Sequence, residues 1–277
     1  MTRFNDSIPL PLVIIFDWHG TLVDTHDAMF SAMEDMLPKL EELGLVERLL
    51  SEDECRTPDD ARLVRYIRIF RRLHPRILAE RRVSRTDIFN AVFGDDNEAK
   101  LIAHKAYNEA YRRYFGQVKP FQPGAWEYLS ALKAMGIRLA VSTNRNREFL
   151  AKELATVDEG RWQNLFDATV CADDVTRYKP APEVLFRVLE ELELPANGSA
   201  WYIGDSYVDM LTATRAGVSG IFYNGASWEP ERIESWFSFR DKPAAVLDSF
   251  EDLFDLLALL ERSNPDAFLQ TVASVRP

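Results

Sequence analysis

Five polar residues stand immediately after apolar segments of the chain, or in the loops that follow them. They are Asp17, Thr143, Lys179, Asp205 and Asp209. Carboxylates clustered without a histidine or thiolate partner form an oxygen-only site, which suits Mg²⁺. A lysine beside them can hold an anion, and a carboxylate can act as a nucleophile toward phosphorus. These residue types therefore predict metal-assisted chemistry on an anionic substrate.

The apolar segments predict a sheet that can bring these residues together. Residues 12–16 form an unbroken β-branched and aromatic run, which is typical of a strand buried on both faces. Similar runs recur at 137–142, 168–171, 199–203 and 218–223, and between them lie helical patterns at 124–135, 147–155, 181–192 and 208–216. This alternation predicts an α/β fold with a doubly wound, Rossmann-like parallel sheet. Such sheets bind ligands at the carboxyl ends of their strands.

A segment of different character interrupts this pattern. Residues 25–120 contain no buried-strand run, and apolar residues from Leu63 to Ile77 recur at spacings of three and four, which predicts one apolar helical face. We therefore expect an inserted α-helical cap domain at 25–120, between core segments 1–24 and 121–262. The core is expected to close with a short strand and a helix within 244–260. Residues 263–277 give no clear structural signal and are assigned to a C-terminal tail.

Composition excludes several classes of protein. The 277 residues include 33 Lys and Arg against 44 Asp and Glu, a net charge of −11. That balance argues against a general binder of nucleic acid or of an anionic membrane. The apolar run at 8–16 contains two prolines and is too short to span a bilayer. Two cysteines, Cys55 and Cys171, are too few for a disulfide framework, so we expect a soluble, cytoplasmic protein.

Four motifs in this order resemble those of the haloacid dehalogenase superfamily, most of whose members are Mg²⁺-dependent phosphatases. The first motif matches DWHGTLVD at 17–24, and the acidic fourth matches GDSYVD at 204–209. Thr143 with Asn144 stands at the second motif, and Lys179 with Pro180 matches the third. The resemblance extends to about residue 260 and includes a helical cap after the first motif.

The resemblance implies a role for each motif residue. Asp17 is expected to be the nucleophile that accepts the phosphoryl group, Thr143 to hydrogen-bond the transferring oxygens, and Lys179 to offset the negative charge. Asp205 is expected to coordinate Mg²⁺ together with Asp17 and the backbone carbonyl of His19, with Asp209 as a ligand or outer-shell acceptor. Gly20 and Asn144 are expected to contact the substrate.

His19 departs from the family pattern, which usually has a second Asp at this position. Three hypotheses follow. His19 is the general acid/base, since imidazole titrates near neutral pH and carboxylates favour its charged form; or it contacts substrate in altered chemistry; or it marks a relative that only binds ligand. The altered chemistries are 2-haloacid dehalogenation and phosphonate hydrolysis. The acidic fourth motif argues against the first, and the lack of a convincingly placed cap lysine argues against the second.

Residues 56–85 contain ten arginines, no lysine and three acidic residues. Arg62, Arg65, Arg68 or Arg72, and Arg76 fall at helical spacing. This pattern is typical of a solvated helix face, but it also allows an anion-selecting lid in which Arg65 and Arg72 bind a second acidic group of the substrate.

The sequence therefore predicts a phosphatase with a helical cap that hydrolyses a phosphate monoester of a small metabolite with Mg²⁺. We expect a small phosphorylated metabolite as its partner, and neither nucleic acid nor a membrane. The sequence does not name the substrate or the oligomeric state.

Overall fold

The computed structural model describes residues 8–237 and 241–263, so nearly all of the predicted tail at 263–277 lies outside the described residues. The chain divides into two compact units: one contains the residues up to Asp24 and those from Lys119 onward, and the other is Thr25–Val118. The described strands are β1 (Val13–Phe16), β2 (Val23–Asp24), β3 (Lys119–Pro120), β4 (Arg138–Ser142), β5 (Ala168–Val170), β6 (Ala200–Gly204), β7 (Ser219–Tyr223) and β8 (Ala245–Leu247). The described helices are α1 (His26–Met36), α2 (Pro58–Phe70), α3 (Pro75–Glu80), α4 (Arg85–Phe93), α5 (Asn97–Tyr111), α6 (Ala125–Ala134), α7 (Arg147–Leu154), α8 (Glu183–Glu191), α9 (Tyr207–Ala216), α10 (Pro230–Trp236) and α11 (Phe250–Ser263).

The first unit is built on a parallel sheet with β1 near its centre. The strand order is β5-β4-β1-β6-β7-β8, and each neighbouring pair is parallel. Val13 and Ile15 belong to a core cluster with residues of α8 and α9, whereas Phe16 packs edge-on against Phe250 of α11. Helices therefore cover both faces, which explains why β1 is apolar at every position. The predicted doubly wound parallel sheet is confirmed.

The start of α9 fixes one of the acidic residues. The Ser206 side chain accepts a hydrogen bond from the Asp209 backbone N–H, and the Asp209 carboxylate accepts one from the Ser206 backbone N–H. This capping box begins the helix and holds Asp209 in its first turn, where the helix dipole favours a carboxylate. Gly217 ends the helix with a φ of +73°, a conformation that glycine adopts without strain.

The predicted strands and helices of this unit correspond to observed ones, with ends that differ by at most three residues. Sequence patterns did not predict α10 or the two-residue strands β2 and β3. The latter pair antiparallel, with Asp24 opposite Lys119, so residues 119–120 are paired within the first unit.

The second unit contains helices α1 to α5, as the helical periodicity predicts. One detail of the prediction is wrong: 63–77 is not one helix. Arg71 ends α2 in the left-handed conformation, with φ of 54°, and α3 begins only at Pro75. Arg62, Arg65 and Arg68 therefore lie on α2, while Arg72 lies between the helices. Pro75 interrupts the apolar helical face predicted for 63–77, because proline lacks the backbone N–H that a continuing helix needs.

Candidate active site

The parallel sheet brings the ends of β1, β4 and β6 to one edge, and the first residue beyond each strand is Asp17, Thr143 or Asp205. The backbone hydrogen bonding of the sheet continues through two of them. The N–H of Asp17 donates to the carbonyl of Ile203 at 2.8 Å, and the N–H of Thr143 donates to the carbonyl of Val170 at 3.0 Å. Both side chains therefore start from a backbone that the sheet holds in place.

Lys179 connects two of the acidic residues. Its Nζ lies 2.6 Å from Asp17 Oδ1 and 2.7 Å from Asp209 Oδ1. All three side chains are buried. Charge-assisted hydrogen bonds of this length strengthen in a low-dielectric surrounding, so the ammonium holds both carboxylates in fixed positions.

Tyr202, in β6, is a member of this group that sequence reasoning missed. Its hydroxyl accepts a hydrogen bond from Lys179 Nζ at 2.8 Å and donates one to Asp209 Oδ1 at 2.8 Å. The residue was grouped with the apolar strand because its ring is buried. The available signal was that a tyrosine hydroxyl inside a buried strand needs a polar partner.

The buried carboxylates outnumber the cation that faces them. Burial raises the pKa of Asp17 to about 6, although the neighbouring Lys179 opposes that shift. Burial, reinforced by the charges of Asp17 and Asp209, raises the pKa of Asp205 well above its ordinary value. Burial also disfavours the charged form of Lys179, but Asp17 and Asp209 outweigh it, so the lysine pKa is raised. The edge of the sheet therefore favours a further positive charge.

Asp17, Asp205 and Asp209 fit a divalent cation. One carboxylate oxygen from each residue lies within 4.8 Å of the others. Three carboxylates without a sulfur or nitrogen donor match the preference of Mg²⁺ for oxygen ligands. The expected contribution of the His19 backbone carbonyl stays a prediction.

Gly20 is required by the close approach of Asp205. Its φ is +81°, and a Cβ added there would overlap the carboxylate of Asp205. A larger residue would be strained and would displace a predicted metal ligand. This role explains the glycine without a substrate contact, which stays a prediction.

Thr143 and Asn144 extend the site along the loop after β4. Thr143 is almost fully buried, and its Oγ1 accepts a hydrogen bond from the Arg145 backbone N–H at 3.1 Å. The Asn144 amide makes two bonds to the backbone of Lys179, accepting at 3.0 Å and donating at 3.2 Å. Asn144 therefore holds the lysine loop, and its expected contact with substrate stays a prediction.

A second missed residue, Glu153 of α7, lies beside the loop that follows Asp17. Its carboxylate accepts hydrogen bonds from Trp18 Nε1 and Arg145 Nη2, both at 2.7 Å. His19 Nε2 lies 3.4 Å from the same carboxylate. The signal in the sequence was its spacing: Glu153 falls on the same helical face as the buried residues Phe149 and Leu150.

The two arginines predicted to bind substrate lie in the second unit. Arg65 pairs with Glu52 at 3.4 Å, and Arg72 donates to Glu34 at 2.7 Å. Both arginine side chains are more than half exposed. Exposed ion pairs of this kind are typical of a solvated surface. The substrate-binding role of Arg65 and Arg72 stays a prediction.

The described helices include none with the length and apolar character that a membrane span requires.

Comparison with known proteins places the chain in a family. The sequence profile of the haloacid dehalogenase-like hydrolases matches residues 14–222. Phosphoglycolate phosphatase from Pseudomonas fluorescens is 30% identical over 262 residues, which cover 93% of this chain and 85% of that protein.

Solved structures show the same fold. A hydrolase of the family from Geobacter sulfurreducens has a TM-score of 0.56 at 23% identity, over 91% of this chain and 98% of that one. CbbY from Rhodobacter sphaeroides, in complex with xylulose-(1,5)bisphosphate, has a TM-score of 0.56 at 20% identity, over 88% and 96% of the chains. The acidic sheet edge and these likenesses agree, and the chain belongs to the haloacid dehalogenase-like hydrolases as an enzyme of the phosphatase type.

Proposed function

We propose that the protein hydrolyses a phosphate monoester of a small metabolite, with Mg²⁺ and through an aspartyl phosphate on Asp17. The observation that carries the proposal is the buried contact of the Asp17 carboxylate with Lys179, beside Asp205 and Asp209. Lys179 fixes one carboxylate oxygen of Asp17, and its ammonium offsets part of the negative charge that gathers there in phosphoryl transfer.

In the first step, a carboxylate oxygen of Asp17 attacks phosphorus and the bond to the ester oxygen breaks. The leaving oxygen takes a proton from His19. In the second step, neutral His19 accepts a proton from water as that water attacks phosphorus, which releases inorganic phosphate and restores Asp17. Bound Mg²⁺ would supply the positive charge that lets an anionic phosphate approach the carboxylates.

The names of the relatives support a proposal about substrate size and class. One relative is named a phosphoglycolate phosphatase, and one structural neighbour was solved with a sugar bisphosphate. We therefore propose small phosphorylated acids and sugars as the substrate class, with 2-phosphoglycolate as the first compound to assay.

The test is a panel of phosphorylated metabolites with Mg²⁺, run beside the same panel with excess chelator and beside 2-haloacids and phosphonates. We expect phosphate release from small monoesters with Mg²⁺ alone. Full turnover in chelator together with halide release would replace the proposal with a dehalogenase. Release from phosphonates only would favour a carbon–phosphorus hydrolase, and no turnover of any compound would favour a protein that only binds ligand.

A further inference from the structure

Glu153 is a fully buried carboxylate whose two oxygens face different partners. Oε1 accepts from Arg145 Nη2 at 2.7 Å. Oε2 accepts from Trp18 Nε1 at 2.7 Å and lies 3.4 Å from His19 Nε2. An ionised group inside a protein is retained only with partners of this kind, since removing it from water is costly.

These partners come from two loops of the proposed active site. Trp18 and His19 directly follow the proposed nucleophile Asp17. Arg145 follows Thr143 by two residues, and its backbone N–H donates to the Thr143 hydroxyl at 3.1 Å. A single side chain of α7 therefore connects the loop after β1 with the loop after β4.

The contacts of Glu153 extend beyond its ion pair with Arg145. Arg145, itself 8% exposed, already supplies one positive charge through Oε1. Oε2 remains directed at Trp18 and His19. The His19 side chain is 29% exposed, but Nε2, the ring atom that faces Glu153, is buried.

We propose that Glu153 is a positioning residue that sets the orientation of the His19 imidazole. The inference rests on the proposed function, in which His19 transfers protons. A proton-transfer group acts only within hydrogen-bond reach of the reacting oxygen, and a displacement of about 1 Å can lower the rate about 100-fold. Locking the ring against a buried group removes that freedom before substrate arrives.

The test compares Glu153→Gln with wild type and with Glu148→Gln, a matched control at an exposed position of the same helix. Glutamine keeps the size of the side chain but only one acceptor oxygen, so its amide nitrogen must face the donor of either Trp18 or Arg145. It also loses the charge that faces His19. We expect kcat on an alkyl phosphate to fall about 10- to 100-fold with KM within about threefold, and the control to match wild type. A Glu153→Gln enzyme with the kcat of wild type would overturn the proposal.

A double-mutant cycle separates this role from a general effect on the fold. In a His19→Ala background, Glu153→Gln should cause little further loss of kcat, because the residue through which Glu153 acts is already absent. An equal loss in both backgrounds would overturn the proposal, since it would show that Glu153 acts through Trp18, Arg145 or the fold and not through His19. Thermal unfolding of all variants checks that the comparison is made on folded protein.

Glu153→Asp provides the test if the glutamine variant does not fold. It keeps the charge but withdraws the carboxylate by one methylene, and we expect a smaller fall in kcat with an unchanged KM. Full kcat in a folded Glu153→Asp enzyme would also overturn the proposal.

The outcomes distinguish this inference from the proposed function. If His19→Ala lowers kcat and neither Glu153 variant does, only the positioning role is wrong. If His19→Ala has the kcat of wild type, the acid/base assignment and the positioning role are both wrong. If wild type releases no phosphate from any compound, the proposed function fails and the inference fails with it.

Discussion

The hydroxyl of Tyr202 donates a hydrogen bond of 2.8 Å to Oδ1 of Asp209. Because the same hydroxyl accepts from Lys179 Nζ, a strand residue and a helix residue jointly fix the direction of the lysine ammonium toward Asp17. Tyr202 thereby helps to orient the Lys179 ammonium beside the proposed nucleophile without contacting the nucleophile itself.

Tyr202→Phe should therefore weaken both activity and stability. Phenylalanine keeps the ring but leaves Lys179 without one acceptor and Asp209 without one donor. We expect kcat/KM to fall about tenfold and the free energy of unfolding to fall by about 1–2 kcal/mol. Steady-state kinetics and denaturant unfolding measure the two effects. Tyr128→Phe is the control, because it removes an exposed tyrosine–carboxylate bond to Glu251; equal losses in both variants would contradict a specific role for Tyr202.

Asp205→Asn should abolish activity and yet stabilise the metal-free protein. The partly buried Asp205 carboxylate has a raised pKa, so it opposes folding as pH rises above the ordinary carboxyl pKa of 3.8, since the unfolded state ionises more readily. Asparagine removes that cost, so we expect the melting temperature at neutral pH without metal to rise by about 2–4 °C. Added Mg²⁺ should raise the melting temperature of wild type more than that of the variant. Asp53→Asn, an exposed control, should behave as wild type, and an Asp205→Asn enzyme with full activity would contradict a metal-binding role.

His19→Ala should lower the rate on an alkyl phosphate by about 10²–10⁴-fold, the usual scale of general acid–base catalysis. With a good leaving group the first step needs little protonation, so the variant should accumulate phosphoenzyme. Intact-protein mass spectrometry would detect one added phosphoryl group, and Asp17→Asn is the control that should not acquire it. His19→Asp should keep turnover. A His19→Ala enzyme with the rate of wild type on alkyl phosphates would remove His19 from the mechanism.

Arg65→Gln and Arg72→Gln test whether the arginine-rich segment selects anions. Each change removes one charge without placing a new acid beside Glu52 or Glu34. If these arginines bind a second acidic group, KM should rise about tenfold for phosphoglycolate and stay unchanged for phenyl phosphate, on the scale of one charge-assisted hydrogen bond. Arg187→Gln, on α8, is the matched control for loss of a surface ion pair. Equal changes in KM for both substrates, or no change for either, would assign Arg65 and Arg72 to a solvated surface.

His104 in α5 should make stability depend on pH. Burial, followed by the charges of Arg85 and Lys100, lowers its pKa from 6.5 to about 4. The folded state therefore holds the neutral imidazole, and the stability contribution is complete above pH 6.5 and declines as pH falls toward 4. We expect the melting temperature of wild type to fall between pH 7.5 and pH 5 more steeply than that of His104→Gln or His104→Phe. Parallel curves for all three proteins would contradict this assignment.

Local pattern explains which parts of the molecule the sequence could predict. Asp17 and Asp205 were identifiable because unbroken apolar runs mark buried parallel strands, whose ends share one edge of the sheet. Tyr202 and Glu153 were missed, although a tyrosine in a buried strand and a glutamate on a buried helical face each need a polar partner, because the pattern does not say which residue that partner is. The arginine spacing suggested one helix since periodicity does not register a left-handed residue such as Arg71. Partners distant in sequence, as Trp18 and Glu153 are, appear only when the fold brings them together.

During synthesis, β1 emerges long before its neighbours in the sheet. Val13 pairs with Arg138 on one side and with Ala200 on the other. One edge of this apolar strand therefore lacks its native partner until residues 138–141 have left the ribosome, and the other edge lacks its partner until residues 200–203 follow. An unpaired apolar strand favours aggregation or capture by a chaperone. Residues 25–118 form a compact unit of their own and do not depend on that delay. The strand that directly precedes the proposed nucleophile is therefore made early and becomes stable only late.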